Sequence, residues 1–163
     1  MIQIPKLLQS LIALSRFKVG SPIDLDVDRQ GLQVRHWSRW CLIQIQDCGD
    51  VKMQTELVNV GYGRMMTTTF STTGGVGEEQ DKEIYYGLFY IFRFLRELHE
   101  GRNEQQPSFQ TLPLLARMSL EQIEEEGVNE EIEAQIKSKR SSAIEFWAKE
   151  AKALILNRFI HRR

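Results

Sequence analysis

Apolar residues open the chain at helical spacing. Ile4, Leu7, Leu8, Leu11 and Ile12 fall on one face, with Leu14 close by, while Lys6, Gln9, Ser10 and Arg16 lie mostly elsewhere. Pro5 suits a first turn and Gly20-Ser21-Pro22 suits an end, so a basic amphipathic helix is predicted before residue 20. It can pack on the core of its own domain, or dock on a membrane surface or a neighbouring subunit. Between residues 23 and 73 the pattern changes to alternation. Ile23, Leu25 and Val27 alternate with Asp24, Asp26 and Asp28, and Leu32, Val34 and His36 follow a turn at Arg29-Gln30-Gly31. Leu42, Ile43 and Ile45 precede a turn signal at Asp47-Cys48-Gly49-Asp50, and Val51, Met53, Thr55 and Leu57 alternate after it. With the β-branched run from Met65 to Thr73, this reads as antiparallel hairpins.

Gly74-Gly75-Val76-Gly77 then punctuates the chain, and Glu78, Glu79 and Asp81 supply the negative charge that suits a helix start. From Ile84 to Leu98 the chain is apolar almost all round, which predicts a central buried helix ending near Gly101, with Phe89 and Phe92 in the core. Residues 102 to 113, with Pro107 and Pro113, read as a loop. Leu114 to Glu126 and Glu130 to Ile160 read as helices separated at Gly127. The switch of period near Gly77 therefore predicts an α+β fold, with an antiparallel strand-rich first half packed on a central apolar helix and a helical C-terminal region. The domain organisation expected is an amphipathic N-terminal arm over residues 1–20 and a single domain over residues 21–163.

Composition adds bounds. The chain has 163 residues, 42% of them hydrophobic and 26% charged, the balance of a folded globular domain. Two cysteines, Cys41 and Cys48, make no disulfide framework and favour a reducing compartment. No run approaches the 18 or so apolar residues of a membrane span. The N-terminal apolar run is too broken for a secretory signal, although the acid-free, basic first 23 residues share their composition with mitochondrial presequences.

Charge changes the picture most. The formal net charge of −1 hides a strong segregation. Between Glu121 and Glu133 there are seven carboxylates and no base, while from Lys137 to Arg163 eight bases outweigh Glu145 and Glu150. Lys6, Arg16 and Lys18 make the other end basic too. Such ends seek phosphates, acidic lipid or another copy of the chain. The candidate residues for an anionic partner are Lys6, Arg16, Lys18, Arg158, Arg162 and Arg163, and those for self-association or membrane contact are Leu7, Leu8, Leu11 and Ile12. The acidic segment is itself a competing partner for the C-terminal bases.

Catalytic and metal templates fit poorly. Asp24-x-Asp26-x-Asp28 has the spacing of a calcium loop's first ligands, but Arg29 and Arg35 stand where that loop needs Gly and Glu. The glycine run lacks the Lys-Ser/Thr of a phosphate loop, and Glu78 and Glu79 would repel phosphate. His36, Cys41 and Cys48 match no zinc spacing. His36, His99 and His161 have no nucleophile signature beside them. The expectation is a non-enzymatic protein with no cofactor, no metal and no small-molecule substrate.

The segment from Glu78 to Leu112 resembles the middle of rhabdovirus matrix proteins, especially the short plant-infecting type. The acidic start, Ile84-Tyr85-Tyr86 opening an apolar helix, and Pro107-Ser108-Phe109 in the following loop carry the likeness. Val51-Lys52-Met53 to Val60 resembles the first matrix strand in type and position. The chain differs in having no PPxY motif near its N-terminus, and in a short amphipathic helix where animal-infecting members have a lysine-rich tail. The resemblance implies a virion structural protein that self-associates and bridges nucleocapsid protein or RNA to an anionic membrane surface. It also implies a place in the virion and, as a peripheral membrane protein, in the host cytoplasm. The alternative is a small cytoplasmic adaptor or nucleic-acid-binding regulator.

Overall fold

A computed structural model describes residues 4–17, 25–71, 78–138 and 140–156. Among these residues the chain forms eight helices and no strand. They are α1 (Ile4–Ser15), α2 (Leu25–Cys48), α3 (Val51–Asn59), α4 (Tyr62–Ser71), α5 (Glu78–Glu100), α6 (Pro113–Glu125), α7 (Val128–Lys137) and α8 (Ser142–Leu156). α5 is the central element, packed on α4, α6 and α8, while α1 lies along α2 and α7 along α8.

The antiparallel, strand-rich first half is overturned, and the fold is all-helical rather than α+β. Residues 25–71 form three helices instead of hairpins. The residues they bury recur at helical spacing: Ser38, Leu42 and Gln46 on α2, Gln54, Leu57 and Val58 on α3, then Tyr62, Met65 and Met66 on α4. The turn signal at Asp47-Cys48-Gly49-Asp50 is real but joins two helices, α2 and α3. Asp50 caps α3, its Oδ1 accepting from the Met53 N–H at 2.9 Å. Gly61 takes a left-handed conformation, φ 85°, at the α3–α4 corner. Arg29-Gln30-Gly31, expected as a turn, lies inside α2. The threonines are accommodated by bonding back along the helix, with the Thr67 and Thr68 hydroxyls donating to the carbonyls of Arg64 and Met65. Val51 to Asn59, the stretch likened to a matrix strand, is helix α3.

The second half follows its pattern more closely. α5 buries Ile84, Leu88, Ile91, Phe94, Leu95 and Leu98 in one continuous stripe. Phe89 and Phe92, expected in the core, are only half-buried, because they pack edge-on and tilted against Trp147 of α8 rather than inward. Gly101, φ 83°, ends α5. The loop after it carries an isolated bridge between Arg102 and Phe109. The single helix expected from Glu130 to Ile160 is, among the described residues, two, with α7 ending at Lys137 and α8 starting at Ser142, and residues 157–160 lie outside the described residues. The glycine run at 74–77 lies outside the described residues.

Candidate interaction surface

The predicted apolar anchors of α1 separate into two groups. Leu8 is fully buried, and Leu11 and Ile12 are half-buried against the same core, so α1 is packed into the domain rather than held off it. Leu7 stays 43% exposed. Lys6 on the same helix and Arg16 just past its end are exposed. Lys18, Arg158, Arg162 and Arg163 lie outside the described residues.

What the sequence pattern missed is how unevenly the structure leaves apolar side chains in water. Among the described residues, fourteen large hydrophobics are exposed, and nine of them (Ile4, Leu7, Leu14, Phe17, Val27, Leu32, Val34, Trp37 and Trp40) belong to the stretch of α1 and α2 up to residue 40. The reason is positional. Among its described side chains, the large apolar ones that α2 buries, Leu42 and Ile43, lie in its C-terminal half, and α1 is the helix it packs on most. Polar contacts hold this pair in place. The Arg35 guanidinium donates to the Phe17 carbonyl at 2.7 Å, and His36 and Arg39 meet Glu83 of α5 at 2.8 and 3.4 Å. Burial pushes the Arg39 pKa down, while Glu83 pulls it back up. Scattered exposed apolar residues are ordinary, but a concentration on one pair of helices makes a candidate contact surface.

A second cluster is polar and buried. Arg102, 3% exposed, donates to the carbonyls of Gly49 (3.1 Å) and Gln46 (2.9 Å) and to the Glu97 carboxylate (2.7 Å). Its guanidinium lies over the Phe109 ring, 4.7 Å from the centroid. Gln46 also donates to Glu97, and Gln54 donates to the Gln46 and Gly49 carbonyls. Arg93 adds ion pairs to Asp47 at 2.8 Å and Glu97 at 3.3 Å. The knot joins the α2–α3 corner, α5 and the loop after it. Since nearly every donor and acceptor is spent on the chain itself, its chemistry is that of a fastener. Nothing in the sequence pattern marks Arg102, a charged residue in a polar loop, as buried. Nearby, burial pushes the Tyr62 phenol far up, so it stays neutral, its ring edge-on to Phe94 at 4.7 Å. Beside the knot, Phe89, Phe92, Arg96, Gln105 and Trp147 line a cleft of about 480 Å³.

The charge segregation is largely resolved within the chain. Glu133 on α7 takes Lys152 of α8 at 2.6 Å and Lys137 at 3.5 Å, and these cations hold its carboxyl below the ordinary value, the Lys152 hydrogen bond foremost. Arg64 of α4 pairs with both Glu125 and Glu126, and Arg117 with Glu121 at 3.0 Å. Arg140 reaches Asp81 at 2.8 Å. Of the anionic-partner candidates, Lys6 and Arg16 are therefore the two whose exposure the structure describes.

His36, Cys41 and Cys48 do not converge, and no group of His, Cys, Asp and Glu side chains among the described residues could hold a metal ion. Residues 25–28, part of the calcium-loop and strand readings, are the first turn of α2, and Asp24 lies outside the described residues. No described helix is long and apolar enough to cross a membrane. In comparisons with known proteins, no family model and no curated protein matches the chain.

Proposed function

We propose that this is a non-enzymatic structural protein of the matrix type, which self-associates and bridges RNA or a nucleocapsid to an anionic membrane surface. The observation that carries the reading is the concentration of exposed apolar side chains on α1 and α2. The exposed Leu7 and Leu14 share α1 with Lys6, and Arg16 follows directly after its end. Apolar side chains with flanking bases suit the headgroup boundary of an anionic bilayer. Lys137, Arg140 and Lys152 are ion-paired within the chain, so the reading rests its phosphate contacts on Lys6 and Arg16 instead.

The test is flotation of the full chain with vesicles containing phosphatidylserine, alongside sedimentation of the protein alone. The wild type should float with anionic but not with neutral vesicles, and added salt should release it. A Lys6→Gln, Leu7→Gln, Arg16→Gln variant should lose flotation while keeping its helical content, because none of the three side chains is buried. A wild type that ignores vesicles and RNA and stays monomeric at every concentration would overturn the reading.

A further inference from the structure

We propose that the outward face of α2 is a two-stranded, parallel, in-register coiled-coil seam that pairs with the same face of a second copy of this chain. The inference rests on the self-association reading above and names the surface and its geometry.

The outward positions of α2 follow a heptad. Val27, Val34, Cys41 and Cys48 are spaced by seven, and Gln30, Trp37 and Gln44 fall three residues after each of the first three. The two sets take the a and d positions of a coiled coil, with 3–4–3–4 spacing across three heptads. All seven side chains are exposed, so none is covered by the chain's own core. Trp37, 60% exposed, is the largest of them. The seam is separate from the face α2 buries, which carries Ser38, Leu42 and Gln46.

Charge and hydrogen bonding choose the occupant. None of the seven positions is charged, so two copies meet without like-charge repulsion, while a strongly acidic or basic partner gains nothing there. In a parallel in-register pair each a residue meets its own copy, and each d residue likewise. Gln30 then faces Gln30 of the second chain, and Gln44 faces Gln44, so that each side-chain amide can satisfy its opposite number. In an antiparallel pair the a and d layers mix, and each Gln amide would face Val or Cys and lose that partner.

The seam's size sets the strength of the pairing. From residue 27 to residue 48 the helix rises about 32 Å, and a strip of that length is on the order of 350 Å² per chain. This is well below the roughly 800 Å² per partner of a standard stable interface. The pair is therefore a reversible, concentration-dependent dimer, suited to a repeating assembly rather than to a permanent one.

The experiment uses the full chain in two single-cysteine forms, Cys41→Ser and Cys48→Ser, treated with a short bismaleimide under reducing-agent-free conditions and followed by sedimentation velocity. In a parallel in-register pair both forms should cross-link to covalent dimers, because Cys48 meets Cys48 and Cys41 meets Cys41. An antiparallel pair can bring only one position of the helix opposite its own copy, so cross-linking of one form alone overturns the proposal. Trp37→Glu should shift the dimer to monomer and abolish both cross-links, whereas Leu114→Glu on α6, also exposed, should leave them unchanged. A dimer that survives Trp37→Glu and fails to cross-link through either cysteine overturns the seam but leaves self-association standing. A wild type that is monomeric at all concentrations overturns both.

Discussion

α2 and α5 are helices of nearly equal length, 24 and 23 residues, with opposite fates. α5 buries six large apolar side chains along its length and is gripped by helices on several sides. Among its described side chains α2 buries two large apolar ones, Leu42 and Ile43, both in its C-terminal half, and leaves Val27, Leu32, Val34, Trp37 and Trp40 in water. Helix length and apolar content are therefore poor guides to burial. The phase of the apolar positions relative to the rest of the fold decides it. On α5 that phase coincides with the core, whereas on α2 a second apolar stripe points away from it. The first arrangement supplies stability, and the second is the face on which the proposed pairing rests.

The largest effect should come from the knot where the two helices are tied together. Arg102→Met removes the cation buried against Glu97 and leaves the Gln46 and Gly49 carbonyls without that donor. Loss of one partner from a buried pair costs roughly 3–5 kcal/mol, read as a fall in the urea midpoint. Adding Glu97→Gln to that variant should recover part of the loss, and a double variant as unstable as the sum of the singles would show that the pair is not coupled.

The contrast between the helices themselves is sharpened by matched truncations. Leu88→Ala on α5, at a fully buried position, should cost about 2–5 kcal/mol. Val34→Ala on α2, at an exposed one, should stay within about 0.5 kcal/mol in dilute protein. Equal losses in urea unfolding would break the comparison, because they would place the α2 face inside the fold.

The smallest effect concerns acid. The folded-state pKa of Glu133 is held below its ordinary 4.5 by Lys152 and Lys137. A depressed carboxyl contributes stability above its unfolded value, and that contribution is lost as pH falls through the folded value. Glu133→Gln should therefore lower the melting temperature slightly at neutral pH, and the difference from wild type should shrink as pH falls from 4.5 downward. A difference that grows in acid would show that the α7–α8 contact does not depend on this ion pair.

Much of the second half was legible in the sequence. The acidic start of α5, its near-continuous apolar run, the glycine stop at Gly101, the following loop and the break at Gly127 all stand where the pattern put them. The first half was misread because short apolar runs such as Leu42-Ile43-x-Ile45 satisfy a two-residue period as well as a helical one. β-branched residues at Thr55, Thr67 and Thr68 tilted that reading towards strand, although in the structure each hydroxyl bonds back to its own helix.

The sequence by itself determined some of the chain's stops, those at Asp47 to Asp50, Gly101 and Gly127, and that the charge is segregated. These are local properties, carried by Gly, Pro, Asp and short-range spacing. Only the tertiary structure decided which apolar stripe goes inward, that Arg102 is enclosed while Trp37 is exposed, and that Lys152 is spent on Glu133. Each of those outcomes depends on a neighbour distant in sequence, and the burial free energy that selects it exists only once the helices have met.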